Sequence, residues 1–159
     1  MSVAFTKEED VEAAAANLPD RPISPHPNLV TPEGLEALDA ALASARAAWA
    51  KAQASGEVST DRTAMARATR DLRYYAARRA SAQVVESERG DDIVRFGGAV
   101  TLDRQDGRRQ TFRIVGEDEA DPSRGSVSYI SPLARAVLGR RVGDTALLAA
   151  LEVEIVSVD

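Results

Sequence analysis

With 159 residues the chain can bury one good core or two small ones, so a single domain or a short helical module joined to a compact one is expected. Its 20 Lys plus Arg stand against 25 Asp plus Glu, a formal net charge of -5, which excludes bulk attraction to nucleic acid or an anionic membrane and confines any such contact to a local patch. The absence of cysteine excludes disulfides and thiolate metal sites. No run approaches the roughly 20 apolar residues of a membrane span, and the acidic start MSVAFTKEED lacks an apolar stretch of signal length, so a soluble cytoplasmic protein with no membrane contact is expected.

Residues 1–30 form a proline-rich N-terminal lead. Pro19, Pro22, Pro25 and Pro27 each remove a backbone donor and bias the preceding residue toward extended geometry, so a short, partly helical tail followed by an extended approach is expected. The single histidine, His26, sits between two prolines with no partner ligand nearby in sequence, and reads as an exposed loop residue more readily than as a metal ligand or catalytic group.

The period changes at residue 31. Thr31, Pro32 and Glu33 make a helix start: a hydroxyl cap, proline at the first helical position and an acid in the first turn. Leu35, Leu38, Leu42, Ala45, Trp49 and Ala52 follow at alternating spacings of three and four, a heptad seam; after GEVSTDR, Met65, Ala68, Leu72 and Tyr75 repeat the pattern. Two seams joined by a short turn with Gly56 and Ser59 predict an antiparallel helical hairpin over residues 31–86, with half of a small helical bundle as the competing arrangement. The second helix carries Arg62, Arg67, Arg70, Arg73, Arg78 and Arg79 and few acids. Such a run is either a solvated helix face or a track for a phosphate backbone, for which Arg67, Arg70 and Arg73 are the candidates.

Residues 90–159 read as a compact module. AVTLDR and RQTFRIVG flank an Asp-Gly turn, a hairpin signal; GSVSYIS alternates as a third strand; SPLARAVLG is a short helix with Ser131 as cap, Pro132 at its first position and Gly139 at its stop. TALLAALEVEIVSV supplies the last one or two strands. The expected fold class is α+β: a helical coiled-coil hairpin followed by an antiparallel sheet domain with one short helix.

FRIVGEDEADPSRGSVSYISPLARAVLGRRVGD closely resembles the C-terminal signature of the bacterial Gre transcription elongation factors, GreA and GreB. With Thr31 to Leu42 and RYYAARRASAQVV, the resemblance covers roughly residues 30 to 158. It implies an antiparallel coiled coil and a C-terminal FKBP-like domain without isomerase activity. The globular domain would bind bacterial RNA polymerase at the rim of its secondary channel, and the coiled coil would enter that channel. An acidic tip there would help hold a metal ion and a water, so that the polymerase cuts its own backtracked transcript. The resemblance thus implies no enzyme in its own right and no cofactor of its own, Mg²⁺ being shared with the polymerase active site only if cleavage is stimulated. A monomer is expected, with the nascent RNA 3′ end as a further candidate partner.

Carried over by position, the resemblance places the polymerase contact at Ile130, Ser131 and Pro132, with Ile130 standing where Asp or Asn is usual. At the tip, Gly56, Glu57 and Val58 match in kind, Thr60 replaces a glutamate and Asp61 an asparagine. The carboxylate pair is then Glu57 and Asp61, spaced four apart instead of three, a difference that matters where oxygens must converge at about 2.0–2.1 Å on Mg²⁺. Each arm is also shorter by about one heptad, roughly 10 Å of reach, and TALLAALEV lacks the family's Gly-containing turn, so the final hairpin reads as trimmed. These departures favour a regulator that docks on polymerase and inserts its coiled coil but modulates or inhibits transcription, with weak or no stimulation of cleavage. The alternative is a cleavage-stimulating factor that rescues backtracked complexes through Glu57 and Asp61. An independent hydrolase is disfavoured for want of a nucleophile, base or ligand cluster.

Overall fold

In the computed structural model, residues 18–55 and 59–159 are described, the side chains of 55–61 excepted. The fold is α+β and divides into two compact units, one running up to His26 and resuming over Leu38–Ser81, the other comprising Pro27–Ala37 and Ala82–Asp159.

The first unit is built on helices α1 (Pro32–Ser55), which begins in the second unit, and α2 (Ser59–Ser81). The heptad seam is the buried stripe: Leu38, Leu42 and Ala45 of α1 and Ala68 of α2 are buried, with Trp49, Ala52, Met65, Leu72 and Tyr75 half-buried beside them. A shallow groove bordered by Ala41, Ala45 and Ala48 of α1 and by Ala68 and Tyr75 of α2, together with an ion pair from Arg79 to Asp39, fixes the helices as an antiparallel pair. Alanine at so many seam positions permits close approach but contributes little area, leaving the leucines, at about 1.5–3 kcal/mol each, as the main apolar stabilisation. Arg78, grouped by sequence with the solvated arginines, is instead only 2% exposed.

The second unit opens with a device that periodicity did not predict. Strands β1 (Leu29–Val30) and β2 (Gln83–Val84) pair in parallel, so the chain entering α1 and the chain leaving α2 are stitched together. Thr31 follows β1 and caps α1 as its sequence predicts: its Oγ1 accepts from the Gly34 N–H at 2.9 Å and donates to Glu119 Oε2 at 2.6 Å, while Leu35 N–H bonds the Thr31 carbonyl at 2.9 Å.

The main sheet has five strands, β3 (Ala99–Arg104), β4 (Arg109–Val115), β5 (Ser126–Ser128), β6 (Thr145–Leu148) and β7 (Leu151–Val158), in the order β5-β4-β3-β7-β6. The β3–β4 hairpin closes at Asp106 and Gly107, the latter at φ 84°, as the Asp-Gly signal predicts. The expected antiparallel sheet is corrected at one edge. Residues 116–125 carry the chain back past the end of β4, through the 3-10 turn Pro122–Arg124, so β5 runs parallel to β4 with Ile114 opposite Val127. Asp121 caps that turn, accepting from the Ser123 hydroxyl and from Ser123 N–H at 3.1 Å, and these bonds, the hydroxyl's foremost, together with Arg124 hold its carboxyl below the usual carboxylate range. Helix α3 (Pro132–Val137) presses Leu133, Ala134 and Val137 onto Val100, Leu102, Ile114, Val153 and Ile155, all buried.

The last hairpin is complete, and its turn is unusual. Ala149 and Ala150 join β6 to β7 at φ 51° and 66°, left-handed conformations that a two-residue turn demands and that alanine adopts at a cost of about 1–2 kcal/mol each. Replacing the pair by Asn-Gly (Ala149→Asn, Ala150→Gly) is expected to stabilise the protein by about 1–2 kcal/mol, read as a raised urea midpoint with unchanged slope. In the opposite direction, a Cβ added at Gly116 falls 2.3 Å from the Leu29 carbonyl oxygen, which is backbone and has no rotamer to yield. Gly116→Ala is therefore expected to cost about 1–3 kcal/mol in the same assay.

Candidate functional site

Two clusters, one in each unit, contain the residues that sequence reasoning singled out, the tip acids Glu57 and Asp61 excepted. In the second unit, the turn from β5 into α3 presents Ile130, Ser131 and Pro132 consecutively. Its shape is set by local hydrogen bonds: Ile130 N–H donates to Ser128 Oγ at 3.2 Å and Ser131 N–H to the Ser128 carbonyl at 2.9 Å. Ser131 then caps α3, its Oγ accepting from Ala134 N–H at 3.2 Å and its carbonyl from Arg135 N–H at 2.9 Å. Directly behind, Tyr129 stacks edge-on against Phe96 at 5.8 Å between ring centroids, and its hydroxyl donates to the Pro27 carbonyl.

Leu133 and Ala134, buried in the core, anchor the far side of this turn, so it is a rigid ledge on which Pro132 is exposed and Ile130 and Ser131 half-buried. Its chemistry suits docking against a protein surface. An apolar Ile130 beside a proline offers burial, and the Ser131 hydroxyl is already engaged by the helix it caps.

In the first unit, α2 carries the predicted arginines on two sides. Arg67 is exposed. Arg70 is half-buried, with an Nε shielded from solvent that has no hydrogen-bond partner among the described residues. Arg73 is exposed and pairs with Asp20 at 3.3 Å. Arg70 and Arg73 border a groove of about 380 Å³ with Arg62, Met65, Ala66 and Thr69, closed on its other side by Leu18 and Asp20 of the lead.

Sequence reasoning missed the two lead residues whose charges pair with α2, Asp20 and Arg21. Arg21 places its Cζ 3.8 Å from the Tyr74 ring centroid and 5.2 Å from that of Tyr75, and its Nη1 3.4 Å from Asp71 Oδ1. A hydrogen bond with Tyr75, foremost, and the nearby Tyr and Asp71 charges raise the Arg21 pKa above its ordinary value. No sequence signal announced this cation–π arrangement, since the tyrosine pair and Arg21 meet only in the fold.

Of the proposed tip acids, Glu57 lies outside the described residues, and Asp61 is placed only by its backbone, in the first turn of α2. Among the described residues no group of three or more His, Cys, Asp or Glu side chains is arranged to hold a metal ion. His26 is half-buried in a bend, its N–H donating to Ser24 Oγ at 3.2 Å. No described helix is long and apolar enough to cross a membrane.

Residues 89–159 match the family described as transcription elongation factor GreA/GreB, C-terminal. The transcription elongation factor GreA of Desulfovibrio desulfuricans is 41% identical over 91 residues, 55% of this chain and 54% of that protein. GreB of Neisseria meningitidis serogroup B is 43% identical over 96 residues, 57% and 59% of the respective lengths. The chain thus spans somewhat over half the length of these relatives. GreA of Sphingopyxis alaskensis matches further, at 38% identity over 127 residues, 70% of this chain and 80% of that protein. Among solved structures, GreA factor homolog 1 of Thermus thermophilus is similar at 21% identity and a TM-score of 0.40, over 84% of this chain and 99% of that one. Four fifths of a GreA sequence matched at 38% identity, and the C-terminal family matched from residue 89 to the end, establish that the chain belongs to the GreA/GreB family of transcription elongation factors.

Proposed function

We propose that the protein is a cytoplasmic transcription elongation regulator that docks on bacterial RNA polymerase through its second unit and inserts its helical hairpin into the secondary channel. In this reading it modulates or inhibits transcription, with weak or no stimulation of transcript cleavage. The observation that carries it is the match of residues 89–159 to the GreA/GreB C-terminal family, a stretch that contains the ledge at Ile130–Pro132. Serine and proline there build a rigid helix start, and a rigid start presents the same surface to every partner without an ordering cost. Ile130 in place of a polar residue makes the contact one of burial, which tolerates a different polymerase surface.

Restraint on cleavage follows from the residues between the two helices and in the first turn of the second. A glutamate of the family pattern is Thr60 here, and the remaining acids, Glu57 and Asp61, are spaced four apart. Mg²⁺ demands near-ideal octahedral geometry, so a displaced ligand loses affinity steeply. Any such ion would be the polymerase's own, and the protein brings no cofactor. It is a monomer in this reading, and its arginine face on α2, with Arg67, Arg70 and Arg73, lies toward the nascent RNA 3′ end. Catalysis remains the polymerase's, as for an accessory factor with no nucleophile or base of its own.

Stalled, backtracked elongation complexes from the source bacterium test this. The protein is expected to bind polymerase, to lose about tenfold in affinity when Ile130→Asp and Pro132→Ala are combined, and to slow RNA synthesis or displace a cleaving factor. Little shortened RNA is expected, with no further drop in Glu57→Ala or Asp61→Ala. Efficient cleavage abolished by either alanine variant would establish a cleavage-stimulating factor instead, and absence of polymerase binding would remove both readings.

A further inference from the structure

The lead has no role in the proposed polymerase contact, yet its residues Leu18, Asp20 and Arg21 lie against the α2 surface that carries the arginines. We propose that this lead is an internal competitor for the α2 arginine face: Asp20 occupies the place of a backbone phosphate, and a single-stranded RNA must displace the lead to reach Arg62, Arg70 and Arg73. The proposal rests on the reading of that face as RNA-facing and adds a control to it.

Three observations carry it. The first is where the carboxylate sits. Asp20 Oδ1 is 3.3 Å from Arg73 Nη1, on the rim of a groove of about 380 Å³ that Arg62 and Arg70 also border. These arginines fall at positions 62, 70 and 73, with Ala66 and Thr69 between them, along one stripe of the helix. A carboxylate on such a stripe is an anion in a site made for anions. The Arg70 Nε, shielded from solvent without a hydrogen-bond partner among the described residues, is a donor still to be satisfied.

The second observation is the clamp that holds the lead in place. Arg21, next to Asp20, stacks 3.8 Å from the Tyr74 ring centroid, lies 5.2 Å from that of Tyr75, and meets Asp71 at 3.4 Å. The two rings stand edge to face, 80° apart with centroids 5.2 Å from each other, so the guanidinium rests on a preformed aromatic corner. A half-buried arginine in that setting is a stronger anchor than the exposed Asp20–Arg73 pair, whose side chains are 63% and 67% exposed.

The third is the stiffness of the strap. Pro19 and Pro22 bracket the Asp20–Arg21 pair, and Pro25 and Pro27 continue the restriction. Such a segment loses little conformational entropy on docking, so a few modest contacts suffice to hold it and a polyanion of several charges suffices to displace it. In sequence, the residues ahead of Leu18 add Glu8, Glu9, Asp10 and Glu12 against Lys7, charge of the same sign as Asp20.

The test uses the full-length protein and a short fluorescein-labelled single-stranded oligoribonucleotide, with affinity read by fluorescence anisotropy at fixed low salt. The double variant Asp20→Asn/Arg21→Ala removes one acid and one base, so the formal net charge stays at -5 and any gain is local. It is expected to bind the oligonucleotide about fivefold tighter than wild type, and Arg70→Ala/Arg73→Ala added to it is expected to erase the gain. Release of the lead is read independently from the Tyr74 and Tyr75 ring resonances by NMR, which are expected to shift in the double variant. The same shift should appear in wild type as oligonucleotide is added. If the rings shift but affinity does not rise, while Arg70→Ala/Arg73→Ala weakens the wild type, the face binds RNA and the competition is refuted. If the arginine variants change nothing in either background, the RNA-facing reading falls and the competition with it. Unshifted rings in Asp20→Asn/Arg21→Ala would show that these contacts do not hold the lead, which equally overturns the proposal.

Discussion

The hydroxyl of Thr31 makes two hydrogen bonds at a position only 1% exposed, and the order of the second unit depends on it. As acceptor it ends the first turn of α1 on Gly34 N–H; as donor it holds Glu119 in the loop that follows β4. The space is tight on all sides. A Cβ on Gly34 would meet Glu119 Oε2 at 2.6 Å, and one on Gly116 would meet the Leu29 carbonyl at 2.3 Å. A buried hydroxyl bonded at both ends contributes modestly, but either partner left unsatisfied costs about 1–3 kcal/mol, so the three residues form a unit that tolerates no single change. The β1–β2 pairing completes the arrangement, since Gln83 N–H bonds the Asn28 carbonyl at 2.8 Å and Val85 N–H that of Val30 at 2.9 Å. A chain that leaves this unit after Ala37 and returns at Ala82 is thereby closed at the crossing point by backbone bonds that depend on no particular side chain.

What could be read from sequence was what is local. Helix caps and heptads act within a turn or two, so Thr31, Ser131 and the Leu38–Leu42–Ala45 stripe were legible as written. The Asp-Gly hairpin was legible for the same reason, its φ 84° glycine being the residue the turn demands. Nonlocal pairings were not. Two-residue strands show no alternation, so nothing in Leu29–Val30 or Gln83–Val84 announces that they meet. The parallel seating of β5 on β4 depends on how residues 116–125 return, which strand periodicity does not encode. The last hairpin turn was obscured by composition, because alanine carries no turn signal; here strand pairing on both sides, from Leu148–Leu151 to Thr145–Glu154, imposes a backbone that alanine would not choose.

The same division runs through the candidate sites. In the Ile130–Pro132 ledge, Ser131 and Pro132 were legible as a helix cap, while Ile130 was singled out only through the resemblance. Asp20 and Arg21 reach partners more than fifty and fifty residues away respectively, Arg73 at a separation of 53 and Asp71 at 50, and no window of sequence joins them. Recognising that a proline-rich lead had a surface to lie on required the tyrosines of α2 to be seen on one face with Asp71. Composition had even pointed elsewhere, since four prolines in nine residues usually mark a linker.

A helix that carries six arginines in a chain of net charge -5 faces a difficulty that the proposed competition by the lead resolves. An uncompensated arginine stripe attracts any polyanion, and nucleic acid offers far more nonspecific phosphate than specific sites. Pairing those arginines within α2 would discharge the stripe permanently, because i,i+4 partners are always at hand. Pairing them with a separate segment leaves the charge recoverable: Asp20 screens Arg73 at 3.3 Å through an exposed contact of small energy, while Arg21 supplies the adhesion at the tyrosine corner. Screening and adhesion thus rest on adjacent residues of opposite charge, and the weak one is the one that faces the ligand. That separation allows a multivalent anion to win where a single phosphate or a stray carboxylate would not.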